Sequence, residues 1–165
     1  MEIAEQIKLR FTGVDFPLVQ LNSIKLYKET DIESNPTNVS IDPKVFLPND
    51  SKSSFRIIMF VDIAAEGFFT LSVTAVGHFE LTKDDVTDEV RKSFINANST
   101  AIMFPYVRAF ISTLTGNLGG VMNRILLPTR FFKGDLEIIQ DEIITVLPSK
   151  KTTAKIKAAP KQISK

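Results

Sequence analysis

Two adjacent segments, FRIIMFVDIA (55–64) and FTLSVTAVGHFEL (69–81), restrict the possible folds more than any other part of the chain. In the second, Phe69, Leu71, Val73, Ala75, Phe79 and Leu81 share one side, while Thr70, Ser72, Thr74, His78 and Glu80 share the other. That is the period-2 alternation of a β-strand. Ala65-Glu66-Gly67 joins the segments, which predicts a long antiparallel hairpin. In the first segment Phe55, Ile57, Met59, Val61 and Ile63 form one face, but Ile58 and Phe60 place apolar groups on the other. A sheet apolar on both faces needs covering twice.

Upstream, the apolar positions of IKLRFTGVDF move from odd (Leu9, Phe11) to even (Val14, Phe16) across Gly13, a shift that a β-bulge at Gly13 produces. Val39 and Ile41 alternate with Ser40 and Asp42 in a further strand, ended or bent by Pro43 and continuing weakly to Phe46 and Leu47. Residues 18–36 show no clear period, and Asn35-Pro36 reads as a loop. The expectation is four antiparallel strands.

Beyond residue 81 the period changes. Thr82-Lys83-Asp84-Asp85 has capping-box spacing, and Val86, Val90 and Phe94 recur every four residues, predicting a short helix to about Asn96. Asn98-Ser99-Thr100 then interrupts the chain. Pro105 lacks an amide hydrogen and suits a first helical turn, so a second helix is expected from Phe104. Phe104, Val107, Ile111, Leu114 and Leu118 form its main stripe, with Tyr106, Phe110 and Thr113 on a second flank. A helix this apolar lies deep in a core or packs against two bodies. Gly116, Gly119 and Gly120 end it, NRILLPTRFF is extended, and DLEIIQDEIITVL is expected as a last helix with Leu136, Ile139, Ile143 and Leu147 inward. Strands followed by helices indicate an α+β domain, with the helices on one face of the sheet.

With 165 residues, 44% hydrophobic, the chain suits one globular domain. It has no cysteine, which removes thiol catalysis, disulfides and cysteine metal sites. No apolar run approaches the ~20 residues of a membrane span and MEIAEQIKLR is no leader, so a soluble cytoplasmic protein is expected, with no membrane insertion. Residues 148–165 hold six lysines and no acid, leaving 14 basic against 19 acidic groups in residues 1–147. We therefore divide the chain into a domain over 1–147 and a disordered lysine-rich tail over 148–165. The tail reads as a solubilising extension or as a basic arm for an anionic partner.

Catalytic groupings are scarce. The only histidine, His78, lies on the polar side of a strand with no triad partner in view. Asp84, Asp85, Asp88 and Glu89 lack calcium-loop spacing. Gly116-Asn117-Leu118-Gly119-Gly120 follows a helix and lacks the Lys-Ser/Thr end of a phosphate loop. Basic residues do not interleave with aromatics on the strands as an RNA-binding sheet requires. The residues describe an oligomeric, non-enzymatic binding protein, with no metal, no cofactor and no nucleic acid.

IMFPYVRAFIS (102–112) resembles the Leu-Phe-Pro-Tyr-Ala-Arg-Glu segment that opens the long helix of the SecB family of export chaperones, at Phe104, Pro105, Tyr106 and Arg108. ILLPTRFF (125–132) is similar to that family's Leu-Asn-Leu-x-Pro-Val-Asn-Phe segment through Leu127, Pro128 and Phe131. The resemblance spans residues 5–147, most strongly 102–137. It implies a four-stranded antiparallel Greek-key sheet with helices on one face, assembled as a dimer of dimers through the long helix. Phe104, Pro105, Tyr106, Arg108, Phe110, Ile111 and Leu114 are then the family-motif and interface residues.

The resemblance further implies an ATP-independent holdase that keeps unfolded preproteins in hydrophobic grooves for the SecA motor. The groove residues would be Val39, Ile41, Leu126, Leu127, Phe131 and Phe132. Clients of such a groove share apolarity and no sequence, so exposed apolar surface is what it needs. The positions corresponding to SecA-docking acids are Gly13, Pro17 and Ser72, none acidic. Client holding is therefore better supported than SecA delivery. A chaperone serving another system, such as a toxin's antitoxin, stays open, as do a structural oligomerisation module and a carrier of a small apolar ligand.

Overall fold

In a computed structural model, described here for residues 6–129 and 134–140, the chain forms a five-stranded sheet with a long helical run across one face. The strands are β1 (Leu9–Ser23), β2 (Asn38–Phe46), β3 (Ser54–Ala65), β4 (Phe69–Leu81) and β5 (Glu137–Ile139), in the order β1-β4-β3-β2-β5. β3 and β4 are the expected hairpin, in register from Ser54 opposite Glu80 to Ala65 opposite Phe69. Gly67 turns it with φ +77°, a conformation that a side chain would strain. β1 returns to pair antiparallel with β4. Its register shifts at Gly13, as the change of apolar parity predicts, and again between Asp15 and Leu18 beside Pro17, which the sequence reading does not foresee.

Two expectations are corrected. The sheet is mixed and not purely four-stranded and antiparallel, because β5 pairs parallel to β2, with Val45 opposite Ile138. β5 also replaces the start of the last expected helix. Ile138 and Ile139 continue the sheet beside Val45 and Phe46, Leu136 turns into the core, and the Leu136 amide donates to Asn96 Oδ1 at 3.1 Å. β-branched residues favour that extended backbone over a helical one. Ile143, Leu147 and the tail of 148–165 lie outside the described residues. β2 runs through Pro43 to Phe46, the continuation that the sequence left open beside an end at Pro43. There β5 has not yet begun to pair, so Pro43 lies at an open strand edge, where its missing donor is tolerated.

The helices also begin elsewhere than their sequence signals indicate. α1 (Asp88–Phe94) is capped by Thr87, whose hydroxyl accepts from the Val90 amide at 3.4 Å, and not by Thr82. At Asn98–Thr100 there is no break: a π turn over Ile95–Ser99 carries the chain straight into α2 (Thr100–Gly116). Inside that turn the Ser99 hydroxyl donates to the Ile95 carbonyl. Pro105 consequently lies within α2 and not in its first turn. Its missing N–H leaves one helical acceptor unused.

The core lies between the sheet and α2. Phe55, Phe79 and Phe11, on neighbouring strands, place successive ring centroids 5.1 Å apart, and Tyr106 of α2 continues the row at 5.0 Å from Phe11. Offset and tilted ring pairs add ~0.5–1.5 kcal/mol each beyond their burial. Phe104, Val107 and Ile111 complete this layer, with Met122, Leu127 and Leu136 from the following segment. On the opposite face the cross-strand pair Ile58 and Val76 is buried too, as the two-sided apolar pattern anticipates.

Candidate functional site

The long helix holds an extended strap, residues 123–129, along its flank. The Arg124 Nε donates to Ser112 Oγ at 2.7 Å, the Ile125 amide to Thr115 Oγ1 at 2.9 Å, and the Arg108 Nε to the Leu127 carbonyl at 3.0 Å. From Ile125 to Leu127 the partner moves back along α2 from Thr115 to Arg108, so the strap runs antiparallel to the helix. Side-chain partners are needed because an irregular segment has no ladder to satisfy its backbone groups. Leu127 turns inward and is 2% exposed, whereas the adjacent Leu126 is 70% exposed. Of the four groove candidates on this segment, Leu127 is thus a core residue, Leu126 is presented to solvent, and Phe131 and Phe132 lie outside the described residues.

Val39 and Ile41 stand on the helix-side face of β2, opposite Ile63 and Val61. Those two partners are fully buried, but Val39 is 42% exposed and Ile41 half-buried. Among the described residues, β2 pairs outward only over Lys44–Phe46, so the backbone of Asn38–Pro43 is an open edge flanked by apolar side chains. An open edge with an apolar face can accept an extended chain through backbone hydrogen bonds and greasy side-chain contacts together.

The motif residues of α2 divide by direction. Phe104 and Ile111 are buried in the protomer's own core. Tyr106 is 52% exposed, Pro105 is exposed, and Arg108, Phe110 and Leu114 are half-buried. Phe110 stacks on Phe16 with ring centroids 3.8 Å apart and planes 14° from parallel, tying α2 to β1. This outer flank continues to Val19, 43% exposed on β1, and to Leu26, 58% exposed beside Gly120. The sequence reading missed Val19 and Leu26, which fall in the stretch without a clear period. β1 is the other outermost strand and offers a second long edge.

The outer sheet face carries charge held in local pairs. His78 Nε2 lies 2.8 Å from Asp15 Oδ2, Ser72 Oγ donates to Asp62 Oδ1 at 2.7 Å, and Lys44 bridges Asp42 and Glu137. Lys44 is held above the usual lysine range, first by its hydrogen bond to Glu137. Gly13, Pro17 and Ser72 contribute no acid here, although Asp62 lies directly across the ladder from Ser72. No helix among the described residues is long and apolar enough to cross a membrane.

No protein-family model matches the sequence. An uncharacterized protein of Methanocaldococcus jannaschii is 38% identical over 85 residues, which are 48% of this chain and 54% of that one. The chain thus spans about half the length of the curated relative it matches. Among solved structures, the fold is similar to the SecB-like chaperone of Mycobacterium tuberculosis in complex with a ChAD peptide from the HigA1 antitoxin. The TM-score is 0.57 at 16% identity, covering 74% of this chain and 88% of that one. The chain accordingly has a SecB-like α+β fold. A protein of unknown function from Streptococcus agalactiae aligns at a TM-score of 0.38 and 9% identity, over 74% of this chain and 98% of that one.

Proposed function

We propose that this protein is an ATP-independent holdase that binds unfolded polypeptide in extended form along the open edge of β2. The observation that carries the reading is the coincidence, among the described residues, of an unpaired strand edge with the 42% exposed Val39 on a SecB-like fold, with Leu126, 70% exposed on the strap, adding apolar surface. Backbone pairing is indifferent to client sequence, and apolar contact selects only for greasiness. The reading calls for no enzymatic activity, cofactor or nucleic acid, and places the protein in the cytoplasm. Assembly as a dimer of dimers, with Tyr106, Phe110 and Leu114 at the contact, would set several such edges on one particle and raise affinity through avidity.

For the destination of the client, we favour a system other than SecA, such as an antitoxin guarded until it folds. Asp15, Asp62 and Asp42 of the outer sheet face are engaged with His78, Ser72 and Lys44, and the docking positions Gly13, Pro17 and Ser72 are uncharged. The SecB-like neighbour was solved with an antitoxin peptide, which supports this choice. The test is dilution of several unrelated, chemically denatured clients into buffer containing the protein without nucleotide. Suppressed light scattering for slow-folding clients is expected, and unchanged scattering for all of them would overturn the proposal.

A further inference from the structure

At the Val45 end of β2, a cleft of about 390 Å³ opens between the sheet edge and the first turns of α1. Val45, Leu47, Ile95, Leu136 and Ile138 form its apolar lining, and its size is at the lower end of the ~300–1,000 Å³ common for small-molecule sites. Set into this lining is Arg91, only 7% exposed. Its Nη2 donates to the carbonyls of Ser54 at 2.8 Å and Ser51 at 3.3 Å. Its Nε is buried with no hydrogen-bond partner, and no carboxylate among the described residues forms a salt bridge with it. A guanidinium withdrawn this far from water normally meets an anion or a full set of acceptors, because an unmatched buried donor is costly.

The charges around it restrict which anion fits. Lys92 lines the same cleft and is exposed. Asp88 and Glu89, also on the cleft, are exposed in the first turn of α1, where water and the helix dipole hold them. Two cations and two carboxylates cancel, so a multiply charged anion gains little, whereas a single negative charge meets in Arg91 a guanidinium that no carboxylate among the described residues bridges. The aliphatic lining then requires that this charge be carried on an apolar body.

We propose that this cleft binds a monocarboxylate with an aliphatic body, its carboxylate taken by Arg91 with help from Lys92 and its chain lying on Val45, Leu47 and Ile138. A short fatty acid and the free C-terminus of an apolar peptide share this chemistry. The site stands apart from client holding and neither requires nor excludes it.

The full chain is titrated by calorimetry with octanoate and with N-acetyl-leucyl-leucine, each against its neutral amide. At least one acid should saturate a single site and bind about tenfold or more tightly than its amide, as a charge-assisted hydrogen bond provides. Preference for octanoate assigns a fatty acid as the source, and preference for the dipeptide assigns a chain terminus. Lys92→Glu, on an exposed position, should weaken the same acid several-fold, and Arg91→Gln should abolish its binding. If neither acid binds, or if an amide equals its acid, the proposal is overturned. Unchanged binding by a folded Arg91→Gln protein overturns it too. Should Arg91→Gln fail to fold, the Lys92→Glu titration and the amide comparison decide the matter.

Discussion

The Arg108 Nε donates to the Leu127 carbonyl at 3.0 Å, joining the Phe-Pro-Tyr helix to the Leu-Leu-Pro strap across 19 residues of sequence. The arginine that looks out of place in an apolar helix is thus a tether. It holds in place the segment that buries Leu127 and presents Leu126.

Removing the tether should loosen the strap before the sheet. Arg108→Ala is expected to cost about 1–3 kcal/mol, since it leaves the Leu127 carbonyl without its charged donor. The local readout is hydrogen exchange at the Ile125 amide, which bonds to Thr115 Oγ1 in the same strap. Faster exchange there, with the β3–β4 amides unchanged, is the expected result. Equal protection in the variant would show that the strap holds without Arg108.

Gly77 packs against α2 where no side chain fits. A methyl at this position would lie 2.7 Å from Met103 Sδ and 3.2 Å from a Phe79 ring carbon. Gly77→Ala should therefore destabilise the protein by about 1–3 kcal/mol through overpacking. Met103→Ala in the same chain should recover part of that loss, a coupling expected of neighbours in contact. Additive losses in denaturant unfolding would contradict the close approach.

Lys44 fastens β5 to β2 through Glu137, with Asp42 at 3.3 Å on its other side. A lysine whose pKa rises on folding contributes stability that is complete below its unfolded value and is lost as pH climbs past the folded one. From the ordinary 10.5, that loss belongs to strongly alkaline solution. Compared with Lys44→Met, which keeps the aliphatic stem, the wild type should be more stable by about 0.2–1 kcal/mol near neutral pH, as is usual for a partly exposed pair. The advantage should vanish in strong alkali. Its persistence there would mean that the ion pair is not its source.

The outer flank of α2 should carry assembly. Native mass spectrometry is expected to give about four times 18.4 kDa. Tyr106→Asp, at a 52% exposed position, should shift the population to smaller species while the circular dichroism stays that of the wild type. A tetramer unaffected by the change would place the contact elsewhere, with β1, outermost in the sheet among the described residues, as the next surface to test.

Where side chains are pinned by a regular period, the sequence reports the fold. The β3–β4 hairpin and the Gly13 bulge follow from alternation alone, because each inward residue of a half-buried strand must be apolar. Helix boundaries follow less well. Thr82 has the capping-box spacing, but in the fold its hydroxyl accepts from the Lys8 amide at 2.9 Å and Thr87 caps the helix instead. A π turn leaves no mark in the apolar pattern, so Asn98–Thr100 reads as a break. β5 was hidden because DLEII suits either period until Val45 and Phe46 provide a ladder. At the surface, the burial of Leu127 beside the exposed Leu126 depends on a side-chain tether that spacing does not reveal, whereas Val39 was visible through its alternation with Ser40 on a short strand.

On the proposed function, unfolded chain lies along β2 against Val39 and Leu126. Its most direct test is fluorescence anisotropy of a labelled, permanently unfolded client titrated with the wild type and with Val39→Asp/Leu126→Asp. Both positions are exposed, so the variant should keep its fold and assembly. Saturable binding by the wild type and a loss of about tenfold or more in the variant are expected, on the scale of two lost apolar contacts. Equal affinity of the two proteins, or no binding by the wild type, would contradict it.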